Sequence, residues 1–140
     1  MAMGARLLGR KRAVYPALIG IATFAILVGG DFSVLLTGDS GLPSEAVWLR
    51  SRAPLASTVL KIGHHGSNSA TSPAFVRAGN PAVNVIQVGA ENDYGHPTEE
   101  VLATLGGRVV LRNDLHGRIH VATDGEQMWI ATQAGKPTLK

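Results

Sequence analysis

Three short apolar runs, each ending in a glycine loop, constrain this chain more than any other feature. Residues 32–37 run into Gly38-Asp39-Ser40-Gly41, residues 57–62 into Gly63-His64-His65-Gly66, and residues 81–88 into Gly89-Ala90. Between the first two, residues 43–50 suit a short helix: proline stands in the first turn, Ser44 and Glu45 come early, and Ala46, Val47 and Leu49 are apolar. Strand, helix and strand within about thirty residues make a βαβ unit, whose strands are parallel and end on the same edge. Between the second and third runs, Ser72-Pro73 reads as an N-cap followed by proline at N1. This predicts a helix over residues 73–78 with Phe75 and Val76 inward and Gly79 as its C′ glycine. A further helix is expected from Pro97, with His96 as N-cap, Glu99 in the first turn and Gly106-Gly107 as the stop. The fold class is therefore α/β, built on parallel βαβ units.

The last third changes character. Residues 109–112, 118–123 and 127–132 read as strands, with Asp124-Gly125 as a two-residue hairpin signal, so an antiparallel ribbon is expected to close the sheet. Residues 133–140 look like a tail. At the other end, Arg6, Arg10, Lys11 and Arg12 precede an apolar run over residues 13–28. A basic stretch before a short apolar segment resembles a signal peptide or membrane anchor. The run is shorter than the roughly 20 residues of a spanning helix, so a core helix or strand is the competing reading. Insertion would place the domain outside the cytoplasm and associate the chain with the membrane through residues 6–28. Without insertion the chain is expected in the cytoplasm. The organisation expected is residues 1–30, a domain over 31–132, and the tail.

Composition limits the chemistry. With 140 residues, the chain fits one domain with a proper core. It has no cysteine, which excludes disulfides, thiolate metal sites and a thiol nucleophile; any metal must be held by His, Asp or Glu. The net charge of +3 permits contact with nucleic acid or anionic lipid without requiring it. The parallel arrangement brings Asp39, His64, His65 and His96 to one sheet edge, where ligands of α/β proteins gather. A carboxylate with two or three imidazoles suits Zn²⁺ or Mn²⁺, and neutral imidazole is the commonest metal ligand.

Four motifs then carry a resemblance: Leu35-Leu36-Thr37-Gly38-Asp39, Leu60-Lys61-Ile62-Gly63-His64-His65-Gly66-Ser67, Tyr94-Gly95-His96-Pro97, and Arg112-Asn113-Asp114-Leu115-His116-Gly117. Together they resemble the carboxyl half of the metallo-β-lactamase-fold domain of ComEC/Rec2-type competence proteins, an αββα sandwich. The resemblance covers about residues 31–130. It implies a metal-dependent hydrolase acting on the phosphodiesters of single-stranded DNA during DNA uptake. By position it implies Asp39 and His65 as metal ligands, with His64 beside them as a ligand or outer partner of the metal. His96 and Lys61 take catalytic roles, and Ser67 and Asn92 contact substrate. The family's amino-terminal His-x-His-x-Asp-His motif has no counterpart, since no histidine precedes His64. Asn113 also stands where the family has threonine. The expectation is an incomplete divalent-metal site, inactive in this chain alone. The alternatives are another hydrolase of the same fold, or a non-catalytic α/β fragment with structural histidines.

Overall fold

The computed structural model describes residues 17–19 and 22–134. Its main sheet has six strands in chain order: β1 (Ala17–Ile19), β2 (Ala22–Gly29), β3 (Phe32–Leu36), β4 (Val59–Lys61), β5 (Val83–Ile86) and β6 (Val109–Arg112). The pairs β1–β2 and β2–β3 are antiparallel, and β3 through β6 are parallel. The described part of the early apolar stretch is thus strand. No helix among the described residues is long and apolar enough to cross a membrane. Residues 1–16, including the basic cluster, and 135–140, most of the expected tail, lie outside the described residues.

Because strand order follows chain order, the crossovers advance in one direction. The helices α1 (Leu42–Arg50), α2 (Pro73–Gly79) and α3 (Glu99–Thr104) collect on one face. Strand alternation supplies the two cores. Leu35, Leu60 and Ile86 turn to the helices and pack with Ile62, Trp48, Phe75, Val76, Val101 and Leu105. Trp48 of α1 meets Phe75 of α2 with ring centroids 5.8 Å apart. On the opposite face, Val59, Val83 and Leu111 pack against Ile119, Val121, Met128 and Ile130. These four come from an antiparallel ribbon, β7 (Ile119–Thr123) and β8 (Met128–Thr132), that forms a sheet of its own.

Four expectations change here. The run at residues 109–112 is not part of the ribbon but the fourth parallel strand, paired with β5 over Val83↔Val109 to Ile86↔Arg112. The ribbon lies on the sheet face rather than extending its edge, because its apolar side has Val59, Val83 and Leu111 to cover. Its loop spans four residues, closed by Asp124 Oδ1 accepting from Glu126 N and Gln127 N. The left-handed cap of α2 is Asn80, at φ 38°, with Gly79 still helical, whereas Ser72 does cap the start by accepting from Phe75 N at 3.2 Å.

A one-turn helix, α4 (Asn113–His116), joins β6 to the ribbon. Arg112 Nε donates to Asp114 Oδ1 at 3.0 Å, and a second bond joins Arg112 Nη2 to Asp114 Oδ2. The Arg112 hydrogen bond holds the Asp114 carboxyl below its usual range. A carboxylate with a depressed folded pKa stabilises the fold above its unfolded pKa, and that contribution is lost as pH falls through the folded value. Asp114→Asn should therefore lower the urea midpoint at neutral pH. The gap to wild type should close on acidification below about pH 4. A gap independent of pH would show that charge plays no part.

Candidate functional site

The site is built where β3, β4 and β5 end. Backbone bonds stitch their terminal loops together. His64 N donates to Gly38 O at 3.0 Å, Ile62 N to Val85 O at 2.8 Å, and Thr98 N to Gly66 O at 2.9 Å. The buried Thr37 adds a bond from its Oγ1 to Lys61 O at 3.1 Å. The approach at Gly63 is close: a Cβ there would meet Ala70 Cβ at 3.2 Å and Ser40 O at 3.3 Å, so the neighbours would have to give by a few tenths of an ångström.

The turn after β4 is strained. His64 (φ 46°, ψ 44°) and His65 (φ 56°, ψ 19°) are consecutive non-glycine residues in the left-handed region. Each such residue costs on the order of 1–3 kcal/mol and persists only where its surroundings hold it. The ring bonds are part of that hold. His65 Nδ1 lies 2.7 Å from Gln87 O, and His64 Nδ1 lies 3.1 Å from Ser69 Oγ. A carbonyl can only accept, so His65 Nδ1 carries a proton and Nε2 is the ring nitrogen turned to the opening. That nitrogen lies 3.5 Å from Asp39 Oδ1, with the two side chains 46% and 66% exposed. A carbonyl fixing one ring nitrogen so that the other is free is the usual setting of a metal-ligating histidine.

His96 reaches the same edge from the loop after β5. Its ring stands edge-on to His64, with centroids 6.2 Å apart. It is not the N-cap of α3; Thr98 holds that position, because the helix starts two residues later than the Pro97 signal implies. His96 Nδ1 is buried with no hydrogen-bond partner. Lys61 precedes the turn and is half-buried. Burial lowers its pKa, and the nearby Asp39 charge acts in the opposite sense.

The structure therefore brings Asp39 to His65, His64 to His96, and Lys61 into the field of Asp39. The other two candidates are occupied locally. Ser67 Oγ bonds Ser69 Oγ at 2.9 Å. The Asn92 amide clamps its own loop, donating to Gly89 O and His96 O and accepting from His96 N. Among the described residues no group of three or more His, Asp or Glu side chains could hold a metal ion. Asp39 and His65 nevertheless fit two neighbouring positions around one ion, given metal–ligand distances of about 2.0–2.2 Å.

A residue with a larger role than its sequence position suggests is Glu45 of α1. It is 3% exposed, and its carboxylate accepts from Thr71 N and from Ser72 N, the latter at 2.8 Å. It thereby anchors the segment that follows Ser69 to the helical layer. Its place in a helical first turn signalled only a favourable dipole.

The chain is 36% identical over 92 residues to ComE operon protein 3 of Bacillus subtilis, 64% of this chain and 12% of that protein. It is 38% identical over 96 residues to competence protein ComA of Neisseria gonorrhoeae, 66% of this chain and 14% of that protein. Recombination protein 2 of Haemophilus influenzae is 36% identical over 76 residues, 54% of this chain and 9% of the relative. No family model matches the chain. The chain thus spans a small fraction of the length of the curated relatives it matches. Over that stretch it is similar to the competence proteins of the ComEC/Rec2 type.

Proposed function

We propose that this segment forms one side of a metal-dependent phosphodiester-hydrolase site in a protein of DNA uptake. One observation carries the reading: the Gln87 carbonyl fixes His65 so that its free Nε2 and the Asp39 carboxylate share one opening at the sheet edge. Asp39 and His65 would hold a divalent ion of zinc or manganese type, with His64 next to them. When bound, such an ion supplies a nucleophile at neutral pH and a clamp on phosphate oxygen.

The chain's own groups account for the remaining chemistry. Lys61 offsets phosphate charge beside Asp39. His96, in its imidazolium form, would donate to the departing oxygen, a contribution of about 10²–10⁴-fold. That is far less than phosphodiester hydrolysis requires. A two-donor site therefore binds metal weakly, and this chain alone is expected to be a poor nuclease. The non-catalytic reading draws its support from the lack of a third donor among the described residues.

Metal titration separates the two. After dialysis against Zn²⁺ or Mn²⁺, wild type should retain well under two ions per chain, and Asp39→Ala and His65→Ala should retain measurably less. Equal retention by all three proteins would remove the metal reading. A tight pair of ions resisting chelator would mean a fuller ligand set than Asp39 and His65. Robust cleavage by the unmodified chain, lost in both variants, would overturn the expected inactivity.

A further inference from the structure

The loop that delivers His96 also displays a large aromatic ring. Tyr94 is 81% exposed, the most exposed of the large apolar or aromatic side chains on the described surface. It is not loose. Its ring stacks on His96 with centroids 5.9 Å apart and an interplanar angle of 24°. His96 in turn abuts His64, and Asn92 clamps the loop on both sides of Tyr94 through Gly89 and His96. One face of the tyrosine is therefore braced by the site, and its exposure leaves the ring accessible to a flat partner.

We infer that Tyr94 is a stacking platform for an unpaired base next to the phosphate held at the Asp39–His65 edge. This rests on the nucleic-acid reading above and makes it specific. An aromatic ring offers a π-face to any base, so stacking tolerates sequence. The exposed Glu91 and Asp93 precede the ring in sequence and disfavour a phosphate there, whereas Lys61 favours one at the sheet edge. A base already stacked within a duplex has no free face to offer. The arrangement therefore selects single strands or frayed ends over closed duplex.

The test is equilibrium binding of a short fluorescein-labelled oligodeoxythymidylate to the full chain, with an abasic strand of equal length as the second probe. Tyr94→Ala should weaken binding to the thymidylate strand by about 5- to 100-fold. Tyr94→Phe should remain within about twofold, and the abasic strand should bind wild type and Tyr94→Ala equally. Unchanged affinity in Tyr94→Ala overturns the platform while leaving the nucleic-acid reading intact. Equal weakening for both probes also overturns it, since the ring would then act only by supporting the loop. A change in oligomeric state with no change in DNA affinity would make Tyr94 a contact between chains. Failure of wild type to bind either probe removes both readings.

Discussion

Gly66→Ala should be among the most damaging single substitutions in this protein. Gly66 adopts φ +87°, and a Cβ there would stand 2.6 Å from Pro97 Cβ and 2.9 Å from Pro97 Cα. A left-handed non-glycine residue costs roughly 1–2 kcal/mol. Forcing atoms into a packed contact adds typically 1–3 kcal/mol. Together these give about 2–5 kcal/mol, against total stabilities on the order of 5–15 kcal/mol. Pro97 adjoins His96, so relief of the clash on that side would shift that histidine relative to His64. Gly107→Ala is the control. Its φ of +76° has the same sign, but a Cβ there meets nothing within 4 Å. Urea denaturation should show Gly66→Ala losing at least 1 kcal/mol more than Gly107→Ala. Equal losses would reduce the Gly66 effect to backbone conformation alone.

The second large effect is expected at Glu45. Alanine there removes the acceptor for two backbone N–H groups, the buried Thr71 N and the part-buried Ser72 N. Each unsatisfied buried donor costs about 1–3 kcal/mol, so Glu45→Ala should destabilise by about 2–5 kcal/mol. Glu45→Gln keeps one oxygen and should fall between. Thr71 sits at φ 65° in the segment Glu45 holds, so the loss should spread to the Ser67–Ser69 turn. Amide hydrogen exchange of Thr71 and Ser72 in a mildly destabilised Glu45→Gln protein reads this directly. Unchanged protection there would show that the loop is held by other contacts.

What was legible in the sequence was whatever local rules determine. The parallel unit from β3 to β5 follows from apolar runs, glycine stops and proline-started helices, all read within a few residues. Its consequence, the meeting of Asp39 with His65 and of His64 with His96, follows from parallel strands ending together. The errors fall where a distant partner decides. Val109-Val110-Leu111-Arg112 has the composition of any buried strand, and only β5 makes it parallel. The ribbon's position depends on an apolar sheet face that needs covering. Glu45 belongs to the same class, since its partners lie 26 and 27 residues away. The turn at His64-His65 is legible in its residue types, but its left-handed backbone is not, because positive φ is uncommon for any residue other than glycine.

That backbone bears on how this family can change over time. At positions 64 and 65 glycine relieves the local conformation, so selection for folding alone pushes both codons away from histidine. The ring bonds to Ser69 Oγ and Gln87 O oppose this drift, as would any chemical use of the imidazoles. A lineage that abandoned the chemistry would be expected to lose this pair early, well before its hydrophobic layers eroded. Comparing positions 64 and 65 across relatives would therefore weigh relief of the backbone against use of the imidazoles.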